Sequence, residues 1–323
     1  MFSSVYDRQV ALFGEEAQEK LGRVRVMVLG CGAIGSLVAN WLARAGVNLR
    51  LVDRDIVERS NLHRMLYRKK DVDEAKAPAL KSILEKSCNT DIEAIVEDFN
   101  PFTWEELIQG VDLIVDCLDS METRYLLNEV SIKEKIPFVH GSAIREEGRS
   151  MTFVPENNKP CFECLYPEKP KPGQLETCHT AGVLNSITSL IASFQASEAM
   201  KYITEKGNLN ERLFVVDLEK NNFDFLEVEK KEDCDPCGHK FKRLSGKEPI
   251  LIQDTCDGYQ ITPQSADLNL EEIAEEYDGE LKDFFLILEI SGNQVILFEN
   301  GRMQIDTDDK KKAKSIYSKI VGL

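Results

Sequence analysis

The first half of the chain alternates short apolar runs with segments of helical spacing. The runs that predict strands cover residues 24–29, 49–52, 92–96 and 111–117, and the segments with helical periodicity cover residues 7–21, 34–45 and 74–86. Strands that alternate with helices in this way form βαβ units. The pattern therefore predicts an α/β domain with a doubly wound, mainly parallel sheet.

The second half predicts a loop and one long helix. Five prolines fall between residues 155 and 177, which favours a long loop without regular structure. From Val183 to Ile203 the apolar spacing predicts a long, largely buried helix.

A polar stretch from Lys230 to Lys247 indicates a domain boundary. We expect a first domain over residues 1–240 and a small α+β domain over residues 248–323. In the second domain, strands are predicted at 250–252, 284–290 and 295–298, helices at 269–277 and 309–320, and hairpin turns at Gly292-Asn293 and Asn300-Gly301.

Composition excludes several classes of function. Of the 323 residues, 42% are hydrophobic, which is enough for an ordinary buried core. The net charge of −16 makes nucleic acid an unlikely partner, because phosphate binding depends on clustered Lys and Arg. The sequence has no apolar run of membrane-spanning length and no signal-peptide pattern at its start, so we expect a cytoplasmic protein that does not bind membranes.

A glycine-rich motif follows the first predicted strand. Gly30, Gly32 and Gly35 have the GxGxxG spacing of a Rossmann-like loop, which can cradle the phosphates of NAD, FAD or ATP. Asp53 follows the second strand, where a carboxylate can accept hydrogen bonds from a ribose. Both NAD and ATP carry a ribose, and a glycine turn needed only for packing is the alternative.

Charged residues after Asp53 favour phosphate chemistry. Arg64 and Lys76 could surround charge that develops on phosphoryl oxygens, whereas a dehydrogenase would need a nicotinamide pocket and a proton donor. A solvated, charged loop and helix over residues 54–76 is the alternative.

Several separate motifs resemble one family. They are Tyr6-Asp-Arg8-Gln9, the glycine motif, Asp53, Ser60-Asn61-Leu-His-Arg64, Asp116-Cys-Leu-Asp119-Ser, Cys161-Phe-Glu-Cys164 and Cys234-Asp-Pro-Cys237. Together they resemble the E1-like superfamily, the ThiF, MoeB and HesA enzymes that activate ubiquitin-like proteins. The resemblance covers residues 5–240.

The resemblance implies a role for each of these residues. The three glycines would hold the nucleotide phosphates and Asp53 the ribose. Asn61, Arg64 and Lys76 would contact the triphosphate of ATP, and Asp119 would hold Mg²⁺ or the reacting phosphate. Arg8 would reach into the ATP site of a neighbouring subunit, so a homodimer is expected. Ser120 stands where the family most often has Asn, and His63 and Met65 flank Arg64 where Gln is common.

The nine cysteines indicate metal and thiol chemistry rather than a disulfide framework. Cys161, Cys164, Cys234 and Cys237 form two C-x-x-C pairs that predict a structural Zn²⁺ site, and unmetallated or redox-active pairs are the alternative.

Cys178 lies beside His179 and just before the long helix, which would favour its thiolate and suit a nucleophile. A loop cysteine without a role is the alternative there. Cys31, Cys88, Cys117 and Cys256 are predicted to be small buried residues.

The function expected from the resemblance is adenylation. ATP would activate the C-terminal glycine of a ubiquitin-like β-grasp protein of the ThiS, MoaD or SAMP type, for sulfur transfer or protein conjugation. The alternatives are a non-catalytic subunit of a heterodimeric activating enzyme, adenylation of a small carboxylate or a tRNA base, and an NAD-dependent oxidoreductase with structural zinc. The role of residues 248–323 is left open.

Overall fold

The computed structural model describes residues 5–167, 181–245, 250–255 and 258–321. The chain divides into two compact units, Met1–Leu244 and Ser245–Leu323. No helix in the described residues is long and apolar enough to cross a membrane.

The first unit is built on an eight-stranded sheet. Its strands are β1 (Arg25–Leu29), β2 (Asn48–Val52), β3 (Ile92–Ile95), β4 (Leu113–Asp116), β5 (Phe138–Ile144), β6 (Glu147–Phe153), β7 (Leu213–Asp217) and β8 (Asn222–Leu226). Its helices are α1 (Asp7–Phe13), α2 (Glu15–Arg23), α3 (Gly35–Arg44), α4 (Lys76–Leu84), α5 (Trp104–Leu107), α6 (Met121–Glu134), α7 (Phe162–Leu165) and α8 (Asn185–Thr204).

The strand order is β3-β2-β1-β4-β5-β6-β7-β8. Strands β1 to β5 pair in parallel, and β6 to β8 extend the sheet in antiparallel fashion. The expected Rossmann-like, mainly parallel sheet is therefore confirmed. The chain order reverses between β1 and β4, and open α/β sheets bind ligands at such a switch point, beyond the carboxyl ends of the strands.

Both faces of the parallel strands are covered. Val26 and Val28 of β1 pack into one hydrophobic cluster, and Met27 and Leu29 pack into another. Because successive side chains of a strand point to opposite faces, a strand buried on both faces has a continuous apolar run. This is why the sequence indicates β1 so clearly.

Other elements differ from the prediction. The predicted helix 7–21 is two helices, separated at Gly14, where φ is +90°. The segment 155–177 contains the short helix α7, so the prediction of no regular structure there is wrong at Phe162–Leu165. Residues 168–180 lie outside the described residues.

The sequence pattern missed strands β5 and β6 because polar residues interrupt them. His140, Ser150 and Thr152 are all buried in these strands. Ser150 Oγ donates to the His140 carbonyl at 2.7 Å, and Thr152 Oγ1 donates to Glu198 at 3.0 Å. Partners distant in sequence thus satisfy polar groups that would otherwise disfavour burial.

The second unit contains a six-stranded antiparallel sheet in the order β11-β12-β13-β14-β10-β9. The elements are β9 (Ile250–Thr255), β10 (Gly258–Pro263), α9 (Leu270–Tyr277), β11 (Glu280–Leu281), β12 (Phe285–Ile290), β13 (Asn293–Phe298), β14 (Met303–Ile305) and α10 (Lys310–Val321). Ser291 and Gly292 both have positive φ, at 54° and 73°, so the turn between β12 and β13 lies one residue earlier than predicted.

Candidate functional site

The glycine loop lies at the switch point of the sheet. The Gly30 N–H donates to the carbonyl of Val52 at 2.9 Å, and the Cys117 N–H donates to the carbonyl of Leu29 at 2.9 Å. These bonds fasten the loop between the ends of β2 and β4. The loop then leads directly into α3, whose first residue is Gly35.

Gly30 and Gly35 are required by the protein's own packing. Gly30 has φ of +94°, and a β-carbon on it would lie 2.7 Å from the carbonyl oxygen of Cys117. A β-carbon on Gly35 would lie 1.8 Å from the carbonyl oxygen of Gly30. No side chain can be accommodated at either position without moving the backbone.

Gly32 has a different environment. The nearest atom to a β-carbon there would be Met65 Cε at 3.9 Å, so nothing in the protein requires glycine at this position. The described hydrogen bonds include none donated by the N–H groups of residues 32–35. Free N–H groups at the start of a helix form an anion-binding site, and the missing side chain lets an anion approach closely.

Two alanine substitutions separate these roles. We expect Gly32→Ala to keep its melting temperature within about 2 °C and to bind ATP about tenfold or more weakly. Gly35→Ala should instead lower the melting temperature strongly or prevent folding, because of the clash with Gly30. Thermal unfolding and ATP titration of both variants check this. Unchanged ATP affinity in Gly32→Ala would contradict a phosphate contact at the loop.

Asp53 is buried at the end of β2 and is bound to the glycine loop. Its Oδ2 accepts from the Cys31 N–H at 2.6 Å, and its Oδ1 accepts from the Asp55 N–H at 2.7 Å. Burial raises the pKa of Asp53, and Lys76 acts in the opposite direction. Each carboxylate oxygen accepts more than one hydrogen bond, so Asp53 can hold the loop and still accept from a ribose.

Lys76 is the buried first residue of α4, and its Nζ lies 2.9 Å from Asp55 Oδ2. Burial lowers the pKa of Lys76, but the carboxylates of Asp55 and Asp53 outweigh burial and raise the pKa above its ordinary value. Lys76 is therefore a cation in the folded protein. The Asp119 carboxylate raises this pKa as well, to a smaller extent.

Arg54 is a second cation at this site that the sequence analysis did not identify. Its Nη1 lies 3.1 Å from Asp98 Oδ1. Burial lowers the pKa of Arg54, and the carboxylates of Asp98, Asp55 and Asp119 raise it overall. Its position directly after Asp53 was the only indication in the sequence that Arg54 lies at this site. Its ion-pair partner Asp98 lies on a distant part of the chain, so the contact could not be inferred from local spacing.

Asn61 and Arg64 contact each other beside this site. Arg64 Nη2 donates to Asn61 Oδ1 at 2.5 Å, and Asn61 is buried and also donates to Glu58 at 3.1 Å. Nearby, the Tyr67 hydroxyl donates to the carbonyl of Cys31 at 2.8 Å and lies 3.1 Å from the carbonyl of Lys76. Tyr67, which the sequence analysis also missed, thus links the glycine loop to the start of α4.

The remaining predicted site residues have different positions. Asp119 is exposed and lies after β4, at the same sheet edge as Asp53. Arg8 is exposed on α1, and the described residues provide no ion pair for it. Cys178 lies outside the described residues, as does Cys256. Cys31 is buried as expected, whereas Cys88 and Cys117 are half-buried.

The two cysteine pairs meet in one cluster. The sulfur atoms of Cys161, Cys164, Cys234 and Cys237 all lie within 4.8 Å of one another. Three of the distances are 3.8 Å (Cys161 to Cys164), 3.5 Å (Cys161 to Cys234) and 3.6 Å (Cys164 to Cys237). Zn–S bonds of about 2.3 Å give a tetrahedron with edges of about 3.8 Å. The cluster therefore has the donor set and dimensions for Zn²⁺.

Helix α6 holds this cluster in place. Asn128 Nδ2 lies 3.5 Å from Cys161 Sγ, and Asn128 Oδ1 accepts from the Phe162 N–H at 2.9 Å. At the next position, fully buried Glu129 accepts from Arg243 Nη1 at 2.6 Å and from the Arg243 N–H at 2.8 Å. The segment that follows Cys237 is thus fastened to the same helix.

Comparisons with known proteins agree on one family. Residues 6–237 match the model of the ThiF family. A SAMP-activating enzyme E1 of Haloferax volcanii is 37% identical over 72% of this chain and 88% of that protein. A sulfur carrier protein ThiS adenylyltransferase of Bacillus subtilis is 34% identical over 98% of this chain and 99% of that protein, so this similarity extends into the second unit.

A solved structure supports the fold. The crystal structure of E. coli MccB with ATP has a TM-score of 0.63 and 19% identity, and covers 73% of this chain and 75% of that one. At this identity the likeness shows the fold alone.

Proposed function

The chain belongs to the ThiF family, and we propose that it uses ATP to adenylate the C-terminal glycine carboxylate of a ubiquitin-like β-grasp protein. A sulfur carrier protein is the substrate that the comparisons favour. The relative that is similar over 98% of this chain, and through both units, is a sulfur carrier protein adenylyltransferase.

The arrangement at the switch point carries the proposal. The free N–H groups of the glycine loop, the buried carboxylate of Asp53 and the buried cation of Lys76 all lie at the carboxyl ends of β1 and β2. In a bound nucleotide, the N–H groups would bind the phosphates and the Asp53 carboxylate would bind the ribose. The Lys76 cation would offset the negative charge. An NAD-dependent oxidoreductase would use only the loop and Asp53, and the family match removes that alternative.

In the proposed reaction, a carboxylate oxygen of the C-terminal glycine attacks the α-phosphorus of ATP. The bond from that phosphorus to the bridging oxygen of the β-phosphate breaks, pyrophosphate leaves, and an acyl-adenylate forms. Lys76 and Arg64 would offset charge on the phosphoryl oxygens, as preorganised cations do in such transition states. Asp119 would hold Mg²⁺, which when bound neutralises charge on the phosphates.

Two further elements complete the proposal. The four cysteines would hold one structural Zn²⁺, whose role is to brace the fold rather than to react. A sulfur nucleophile would then attack the acyl carbon and release AMP. That nucleophile could be Cys178, which lies outside the described residues, or an external persulfide.

We also propose that the enzyme works as a homodimer, with Arg8 of each subunit completing the ATP site of the other. Support comes from the exposure of α1. Leu12 on that helix is 75% exposed, and Val5 just before it is 91% exposed. Arg8 on the same helix is exposed and forms no ion pair with the described residues, so its guanidinium is available to a neighbouring subunit.

ATP–pyrophosphate exchange with the purified protein and sulfur carrier candidates from the same cell tests the proposal. We expect exchange with the intact carrier, none with a carrier that lacks its terminal glycine, and none with Asp119→Ala. Exchange that needs no carrier, or that appears only with a small carboxylate, would overturn the proposed substrate. No exchange with any candidate would favour a non-catalytic subunit.

A further inference from the structure

A buried ionic cluster lies at the end of β4, three residues before Asp119. Asp116, the last residue of β4, has a fully buried side chain, and His140 Nδ1 lies 2.6 Å from its Oδ2. Arg124 Nε lies 3.2 Å from Oδ2 and 3.4 Å from Oδ1 of the same carboxylate. No motif in the sequence indicated a role for Arg124 or His140. Burying the charges of Asp116 and Arg124 costs free energy, which their hydrogen bonds and ion pair must offset. The groups that these two side chains bind therefore show which part of the backbone the cluster holds.

The cluster fixes the two backbone polar groups of Leu118, which belong to the peptide bonds on its two sides. The Leu118 N–H donates to Asp116 Oδ1 at 3.0 Å, and the Leu118 carbonyl accepts from Arg124 Nη2. Leu118 belongs to no helix or strand, so its backbone groups have no partners in a regular element. Side chains of the cluster thus bind both polar groups of the residue before Asp119.

The Asp119 carboxylate itself has no such anchor. In the described part of the chain, no hydrogen bond or ion pair involves its side chain, which is exposed. Apart from its Coulombic interaction with Lys76 and Arg54, its direction depends on the backbone at either side. On the far side, Ser120 caps α6 by accepting from the Thr123 N–H at 3.3 Å. On the near side, the Leu118 peptide is held by Arg124.

Arg124 is not placed to touch a nucleotide. It is only 7% exposed, and Nη2 is also 3.2 Å from the carbonyl of Gly141 on β5. Its remaining terminal nitrogen, Nη1, faces the Met121 sulfur at 3.9 Å. Its donors are directed into the protein, so any effect on the reaction must pass through the groups that it holds.

We propose that Arg124 is a positioning residue for Asp119, which it orients by holding the Leu118 carbonyl, part of the peptide bond between Leu118 and Asp119. This inference rests on the proposed function, because it takes Asp119 to hold the metal of the metal–ATP complex. A lysine at position 124 keeps a positive charge for Asp116. A single ammonium group lacks the planar fork that binds Asp116 and two carbonyls together.

The test is a double-substitution cycle read by metal binding rather than by activity. Mn²⁺ affinity is measured by electron paramagnetic resonance in the presence of the non-hydrolysable ATP analogue AMPCPP. The proteins are the unmodified chain, Arg124→Lys, Asp119→Ala and the double variant. We expect each single substitution to weaken Mn²⁺ binding about tenfold, and the double variant to bind no more weakly than Asp119→Ala alone.

Arg50→Lys is the matched control. Arg50 is equally buried, lies 2.8 Å from Glu93 through Nε, and donates to the carbonyls of Leu107 and Gln109 at 2.7 and 2.8 Å. The Arg50→Lys variant should lose stability as Arg124→Lys does, but its Mn²⁺ affinity should stay within about twofold of that of the unmodified chain. If Arg124→Lys does not fold, Asp116→Asn with Arg124→Gln removes both charges together and enters the same cycle.

The possible results separate the two proposals. Additive losses in the double variant, or an Arg124→Lys protein with unchanged Mn²⁺ affinity, would overturn the positioning role and leave the function of Asp119 intact. Unchanged Mn²⁺ affinity in Asp119→Ala would overturn the metal role of Asp119 itself, and the positioning role with it.

Discussion

Lys76→Met is expected to lower the rate of ATP–pyrophosphate exchange by about 100-fold or more. The substitution keeps most of the length and apolar stem of the side chain but removes its charge. In the folded protein Lys76 is the partner of Asp55 and lies close to Asp53. Without it, two carboxylates would face the incoming phosphates with less positive charge to offset them.

The same helix provides the control. Lys81 lies on α4 as well, where its Nζ is 3.7 Å from Glu85, and its side chain is 38% exposed. We expect Lys81→Met to keep exchange within about twofold, because an exposed pair of this kind contributes little. Lys76→Arg should recover part of the rate, since the charge is restored but its geometry differs.

Exchange within about threefold of the unmodified protein would contradict a phosphate role for Lys76. A folded Lys76→Met protein must be demonstrated first, by thermal unfolding. Breaking a buried ion pair lowers the free energy of unfolding, although partial exposure of Asp55 reduces that cost here.

Cys234→Ser is expected to lose the metal and to lower the melting temperature by about 10 °C or more. The unmodified protein should carry about one zinc per chain, and the variant close to none. The melting temperature should fall because the metal would join several segments of the chain, which separate more easily without it. The sulfurs connect α7 to the segment around Cys234 and Cys237, and α6 holds both through Asn128 and Glu129.

Elemental analysis and calorimetry measure this effect, and Cys88→Ser is the control. Cys88 is half-buried against the core and belongs to no metal cluster among the described residues, so its substitution should leave the zinc content unchanged. A zinc-free protein that melts at the same temperature as the unmodified chain would contradict a structural metal.

Predictions from the sequence succeeded where they depended on local spacing. The glycine loop, the strands beside it and the long helix α8 were recognisable because a strand buried on both faces is continuously apolar and a buried helix repeats every three to four residues. Strands β5 and β6 carry buried polar residues instead, which remove the period-2 signal. Their identity as strands depends on hydrogen bonds from distant residues such as Glu198.

The candidate site was predicted in part for the same reason. Each of Asp53, Lys76 and Asp119 follows or begins a recognisable element, so its position at the sheet edge could be inferred. Arg54 and Tyr67 were missed, because nothing in the local sequence shows that they contact Asp98 and the glycine loop.

The sequence by itself determined the type of sheet, the place of the glycine loop and the family, because these depend on backbone geometry and short spacings. The short spacings also predicted that two cysteine pairs, separated by 73 residues from Cys161 to Cys234, form one metal site, and the structure brings their sulfurs within 4.8 Å of one another. Only the tertiary structure decided that Arg124 binds the Leu118 carbonyl, and that Asn128 holds the segment of Cys161 and Phe162. Both depend on the packing of α6 against elements far away in the chain, and the energy of such contacts leaves no periodic signal in the sequence.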